Sequence, residues 1–274
     1  MYLSLIIISL AIYFISMAFS FAYLSRPRPN LVKWTAVCLG LGFLVQTLSL
    51  AVRFYQSGHF PITNLHESLT FFAWGLALFI LIIHNRYRIS VLFSFAVPIV
   101  VLFMALSLTV PIGPLTLAPI LKSIWLPIHV TLAFLGDAIF ALTFCVSVMY
   151  LIQEYHIKKK KIGKATSLLP SLSLLDQLNY RLLSIGFPLL TLGIITGSIW
   201  AEYAWGSYWS WDPKETWSLI TWLVYAALLH QRLTVGWRGK KAAWVAIIGF
   251  VLVLFTFLGV NLLLSGLHSY GRWS

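Results

Sequence analysis

"WGSYWSWDPKETW", residues 205–217, places four tryptophans, a tyrosine, two acidic side chains and a lysine within thirteen positions, between two long apolar runs. The second half of the stretch has a ready structural reading. Asp212 is a good N-cap, Pro213 suits the first helical position, and Glu215 stands three residues after the cap, so a helix is expected to begin at Pro213 behind a capping box. The aromatic residues in front of it, Trp205, Tyr208, Trp209 and Trp211, have no such role. They are denser than the aromatic belt that marks a membrane interface. A shelf of this kind can stack a large flat ligand, or hold a partner through ring contacts and indole N–H donors.

The setting of this stretch follows from composition. Of 274 residues, 60% are hydrophobic, 16% aromatic and only 9% charged, which lies outside the range of soluble domains and predicts an integral membrane protein. Cutting the chain at its charges and prolines leaves eight apolar stretches, at about 2–24, 34–52, 68–83, 89–108, 125–152, 182–201, 216–231 and 242–265. Each is close to the roughly 20 residues that a helix needs to cross a bilayer. Such runs are too long for barrel strands, so the expected fold is all-α, a bundle of eight transmembrane helices forming one polytopic domain over 1–274. The first run has no Arg-rich start or cleavage site and reads as a retained helix.

The net charge of +12 does not point to nucleic acid, because the basic residues are spread over alternate connections. Of 19 Lys and Arg, 15 fall on one side, among them Arg26, Arg28, Lys33, Arg86, Arg88, the lysine run 158–161 and Arg232; only Arg53, Lys122, Lys214 and Arg272 fall on the other. The positive-inside rule makes the first set cytoplasmic and puts both termini, and segment 202–217 between helices 6 and 7, outside. The basic connection between the fifth and sixth runs, from Glu154 to Arg181, reads as a solvated turn at anionic lipid headgroups.

A flat ligand needing anchors gives meaning to the histidines, of which there are seven. His129 begins the fifth run and His268 follows the eighth, so both lie at the outer edge, level with the tryptophans. Two neutral imidazoles at matching depth suit the axial positions of a haem iron. His230 stands thirteen residues after Trp217, roughly 20 Å deeper, and cannot share that ligand. His84 ends the third run at a similar depth to His230, either as an inner partner or as an interfacial residue. Asp137 lies alone in an uncharged span, where a carboxyl is either functional or hydrogen-bonded to a neighbouring helix. Cys38 and Cys145 both lie in apolar runs without Cys-x-x-Cys spacing, so the chain is neither a c-type cytochrome nor a thiol reductant. There is no phosphate loop and no carboxylate pair at catalytic spacing, which argues against an ATP-driven motor within this chain.

At residue level, "WGSYWSWDPKETWSLITWLVYAALLH" (205–230) resembles the WWD segment of the haem-handling protein superfamily, and "GVNLLLSGLHSYG" (259–271) is similar to the terminal motif of its CcsA (ResC) branch. "FPITNLHESLTFFAWG" (60–75) is similar to the external motif between that family's second and third spans. The resemblance implies cytochrome c maturation of the CcsBA type. Haem b would be carried outward and held for attachment to the CxxCH of apocytochrome c. By the same resemblance His129 and His268 would be the external iron ligands beside Trp205, Trp209, Trp211 and Asp212. His230 would be an inner ligand shared with a histidine of a CcsB/ResB-type subunit. A membrane-tethered thioredoxin-like protein would keep the acceptor thiols reduced. Where the family often has an aromatic residue this chain has His66, to which no role transfers. The membrane would be a bacterial cytoplasmic or a thylakoid one, and whether thioether formation belongs to this chain or to its complex stays open. Three other readings also stay open: a cytochrome b-like electron-transfer subunit with His129/His268 and His84/His230 as two haem pairs, a HemX-like regulator of haem synthesis, and a permease or structural bundle whose tryptophans only anchor it.

Overall fold

The computed structural model describes residues 1–113, 121–160, 163, 167–264 and 266, and every regular element among them is helical. The helices are α1 (Tyr2–Ser25), α2 (Pro29–Ser57), α3 (Leu65–Tyr87), α4 (Leu92–Ser107), α5 (Trp125–Lys158), α6 (Leu172–Trp205), α7 (Pro213–Thr234) and α8 (Lys240–Leu263). Each matches one apolar run. Six are long and apolar enough to cross a membrane; α4, at 16 residues, is apolar but shorter, and α7, at 22 residues, is not among the six.

Several helices outrun their apolar cores because their caps sit in the polar flanks. Ser171 accepts from the Leu174 amide and starts α6 ten residues before the apolar run at Leu182, and α5 continues to Lys158. The connection placed by sequence between Glu154 and Arg181 therefore shrinks to residues 159–171. A side-chain acceptor at the cap satisfies an amide that would otherwise be left over, and in that way lengthens the helix.

The chain forms two compact units, one built from α1 to α4 and the other from α5 to α8. In the first, contacts run α1–α2, α2–α3, α3–α4 and α4–α1, closing a four-helix ring in chain order. Its basic residues Arg26, Arg28, Lys33, Arg86 and Arg88 sit at one end of the ring, at the α1–α2 and α3–α4 turns. The opposite end holds a buried polar cluster. Glu67, fully buried, accepts from Arg53 Nε at 2.8 Å and from the backbone and hydroxyl of Thr63 at 2.9 and 3.0 Å. Arg53 also donates to Gly113 O at 2.7 Å. His66 spans three helices: Nδ1 lies 2.7 Å from Ser107 O on α4 and Nε2 2.9 Å from the Tyr2 hydroxyl on α1. A carbonyl only accepts, so Nδ1 carries the proton and Nε2 takes the tyrosine hydrogen. His66 therefore has a structural role. It ties three helix ends together.

The second unit is likewise a ring, with contacts α5–α6, α6–α7, α7–α8 and α8–α5. Across its diagonal the rings of Phe140 on α5 and Tyr225 on α7 stack at 3.7 Å and 7°. At one end Asp176 on α6 receives Arg232 through both carboxylate oxygens, at 3.0 and 3.2 Å, and the Gly239 amide at 2.8 Å, which pins α7 and the start of α8 to α6. The tryptophans lie at the other end. Cys38 and Cys145 are both free thiols.

A buried ion pair that loses one member leaves the other charge without compensation, at a cost of about 3–5 kcal/mol. Glu67→Ala should therefore lower the thermal unfolding midpoint in detergent more than His66→Phe, which removes only neutral hydrogen bonds.

Candidate functional site

The packing of α5 on α6 fixes the position of His129. The helices are antiparallel, and a Cβ built at Gly186 would meet the Phe140 ring, one at Gly136 the Leu190 and Gly186 backbone, one at Gly193 the Ala133 backbone, and one at Gly197 the His129 ring. Small residues along such a seam let two helices approach closely. At Gly197 the space serves the histidine, since a Cβ there would lie 2.6 Å from its Nδ1 and Cε1. The imidazole leans back one turn of α6, with Nδ1 2.7 Å from Gly193 O. That carbonyl can only accept, so Nδ1 carries the proton and the lone pair is on Nε2. A backbone bond of this kind sets tautomer and ring orientation in metal-binding histidines.

The aromatic shelf continues from this imidazole. Trp200 on α6 is nearly parallel to the His129 ring, at 6.4 Å and 11°, and Trp205 meets Trp200 edge-on at 4.9 Å. Gly206 then ends α6 in the left-handed conformation, turning the chain into the connection 206–212. Trp209 and Trp211 pack edge to face at 5.8 Å; Tyr208 and Trp211 are well exposed, the latter at 69%. Trp211 has φ +59°, a left-handed conformation that is uncommon for a bulky side chain and costs about 1–2 kcal/mol.

Glu215 supports that conformation. Its Oε2 accepts from the amides on both sides of Trp211, Ser210 at 2.8 Å and Asp212 at 3.2 Å, while Asp212 Oδ1 caps the Lys214 amide at 3.0 Å. The capping box expected from sequence is present, and its glutamate also clamps the loop that displays the ring.

Below the shelf, Asp137 stands one turn outward from Phe140 on α5. Among the described residues no donor makes a hydrogen bond to its carboxylate; Lys214 and Tyr225 lie within electrostatic reach. Lys214 precedes the apolar run that starts at Thr216. In α7 it stands within electrostatic reach of both Asp212 and Asp137.

Residues 62–268 match the family model described as Cytochrome C assembly protein. The chain belongs to that family. It is 39% identical to the Cytochrome c biogenesis protein CcsA of Pyropia yezoensis, over 97% of this chain and 94% of that one. To the CcsA of Synechococcus sp. (strain WH7803) it is 41% identical, over 85% and 83%, and to that of Chlamydomonas reinhardtii 44%, over 86% and 67%. Among solved structures, Cytochrome c Heme Lyase CcmF superposes with a TM-score of 0.69 at 19% identity, over 93% of this chain and 46% of that one, a likeness of fold.

Within this cytochrome c assembly protein His129, Trp205, the Trp209/Trp211 pair and the buried cap Asp212 all belong to one unit, and Trp200 links His129 to Trp205. Gly266 is packed against Asp212, where a Cβ would clash with the carboxylate. His268 lies outside the described residues. His230 sits near the far end of α7, exposed, on a side of the helix away from the buried Thr221, Tyr225 and Leu228. His84 belongs to the first unit, buried against Phe93 at 4.4 Å. Trp200 was not singled out from sequence, although it joins His129 to Trp205; its signal was its place three residues after Gly197, on the α6 turn next to the histidine.

Loss of a helix cap costs about 1 kcal/mol, or roughly fivefold in a local opening equilibrium. Glu215→Ala should raise hydrogen exchange at the Ser210 and Asp212 amides by about that factor, while Glu215→Gln, which keeps an acceptor oxygen, should raise it less.

Proposed function

We propose that this protein is the haem-handling membrane subunit of a system II cytochrome c synthase, moving haem b across the membrane and holding it for attachment to the CxxCH of apocytochrome c. The observation that carries the reading is His129: seated by Gly197, fixed in the tautomer with its lone pair on Nε2, and stacked near Trp200, against which Trp205 packs. His268 would supply the opposite axial ligand. Its support is that Gly266, two residues earlier, lies against Asp212 at the edge of the shelf.

All eight helices would span the bilayer, each unit with its basic end toward the cytoplasm, so that segment 202–217 faces the periplasm, or the lumen in a thylakoid. The two histidines hold iron, the tryptophans hold the porphyrin face, and the acceptor thiols reach the ring edge. The covalent step then asks the chain mainly for positioning. Acceptor thiols are kept reduced by a thioredoxin-like partner, since neither cysteine of this chain has the spacing for that task.

The exposure of His230 supports an inner site completed by another chain. An imidazole facing hydrocarbon is costly, and polar groups at membrane depth generally face protein. A CcsB/ResB-type subunit covering this side of α7 would bring the second histidine.

Haem spectra of the detergent-purified protein, with and without that subunit, test the reading. His129→Ala and His268→Ala should each lose a low-spin bis-histidine spectrum and regain it with added imidazole, while His84→Ala should leave it unchanged. Gly197→Ala, which pushes the His129 ring from its seat, should weaken haem binding by about tenfold or more, the scale of one charge-free ligand hydrogen bond lost together with its geometry. Absence of haem from every preparation would defeat the reading, and loss on replacing His84 would favour a cytochrome b-like subunit.

A further inference from the structure

The basic end of the first unit takes no part in the haem reading. Residues 1–116 contain six Lys and Arg but one acidic side chain, Glu67, which is bonded to Arg53 at the opposite end. The other five cations, Arg26, Arg28, Lys33, Arg86 and Arg88, are all exposed, and none forms an ion pair among the described residues. At the corresponding end of the second unit two of the cations do have carboxylates, Arg232 with Asp176 and Lys158 with Glu154. Cations gathered without a counter-charge repel one another. An anion that joins them removes that repulsion.

Two side-chain bonds bring the cluster together. Ser16 Oγ donates to Thr35 O at 2.9 Å, setting the second half of α1 against the start of α2, and Ser94 Oγ donates to Ser20 O at 2.8 Å, setting the start of α4 against α1. Lys33 stands two residues before Thr35, Arg26 one residue past the end of α1, and Arg88 six residues before Ser94. The α1–α2 and α3–α4 turns therefore form one rim. Arg88 ends α3 with φ +55° and ψ +33°, its amide bonded to His84 O at 2.8 Å. Glycine or asparagine usually fills such a left-handed cap, because a Cβ is disfavoured there. An arginine stands where the backbone alone favours glycine, and its guanidinium makes no hydrogen bond or ion pair among the described residues.

An exposed apolar surface begins directly at this rim. Trp34, next to Lys33, is half exposed, and from it Val37, Leu41, Leu44 and Leu48 continue along α2 at helical spacing, all exposed. Both α1 and α2 are long and apolar enough to cross a membrane. We propose that the rim seats an anionic phospholipid, with its phosphate on the cations of the two turns and an acyl chain along the stripe that starts at Trp34. Arginine side chains present paired donors that fit phosphate oxygens, and basic groups at the end of a span attract anionic headgroups. A soluble anion, or an acidic protein segment, would use the charges and leave the stripe idle. The proposal rests on α1 and α2 spanning the bilayer and is independent of haem.

Native mass spectrometry of the full chain in detergent, titrated with phosphatidylglycerol and with phosphatidylcholine of the same acyl chains, tests it. Each cation near a membrane surface is worth about fivefold in attraction to anionic lipid, so two engaged at once give wild type a preference of about 25-fold for phosphatidylglycerol. Arg88→Gly should cut that preference about fivefold while leaving the lipid-free thermal midpoint unchanged or higher, a combination that a purely structural arginine would not show. Arg26→Gln together with Arg28→Gln should bring it near parity. Lys158→Gln, which removes a charge already paired on the other unit, should leave it unchanged. An equal loss in Lys158→Gln would mean that the lipid senses net charge alone, and full displacement by glycerol 3-phosphate at the same concentration would mean an anion site without a lipid seat; either overturns the proposal. Equal wild-type affinities for the two lipids would overturn it with no variant needed, and would leave an acidic protein segment as the partner that the charges fit.

Discussion

The close approach of α5 and α6 is the constraint on which the site depends. Two helices of 34 residues each meet along a seam kept clear by Gly136, Gly186, Gly193 and Gly197. In lipid there is little hydrophobic drive to bring helices together, so association relies on packing and on bonds between backbones and side chains. The seam provides the packing. It also exposes a carbonyl, that of Gly193, to a side chain from the other helix. A bulkier residue at 193 would separate the helices and draw the carbonyl that sets the His129 tautomer away from the ring; one at 197 would occupy the space of the ring itself. The orientation of the imidazole and the packing of the helices are in this way the same contact.

The first unit shows a different use of polar residues at the end of a helix ring. Glu67 and Arg53 are both almost fully buried, and every oxygen and nitrogen named in their cluster has a partner. Together with His66 they join Tyr2, Thr63, Ser107 and Gly113, so that with Arg53 on α2 the ends of all four helices of the ring are tied. A satisfied network of this kind rigidifies. The stretch 60–75, similar to an external family motif, thus has a structural explanation in hydrogen bonding alone.

Much of this was legible in sequence. All eight helices were visible as apolar runs, and six of them have the length and hydrophobicity that a bilayer demands of a span. The start of α7 was legible to the residue, since a capping box is local chemistry. Depth along the spans put His129 level with the tryptophans, and its ring does lie near Trp200, on which Trp205 packs. Helix ends such as Ser171 and Lys158 were not, because polar turns extend a helix without any apolar signal. Nor were the pairs His129–Gly193, Arg53–Glu67 and Phe140–Tyr225, whose members are 64, 14 and 85 residues apart. Nothing in a single chain announces a register between distant helices. Gly197 and Trp200 read as ordinary membrane-helix residues until α5 is laid against them.

The last helix contains one wider turn, Phe255–Gly259, where the hydrogen bonds skip an additional residue. The turn is held in place by its neighbours: Trp217 packs on Phe255 at 4.4 Å, Phe134 on Phe257 at 4.9 Å, and Thr221 and Thr256 share a hydrogen bond. One extra residue in a helix rotates everything beyond it by about 100° relative to the regular spiral. The direction in which the chain leaves this helix, and the side of Asp212 against which Gly266 comes to lie, are thus encoded as a phase offset and not by any residue at the exit. Two relatives that differ by one residue in this turn would carry the same terminal motif on faces about 100° apart.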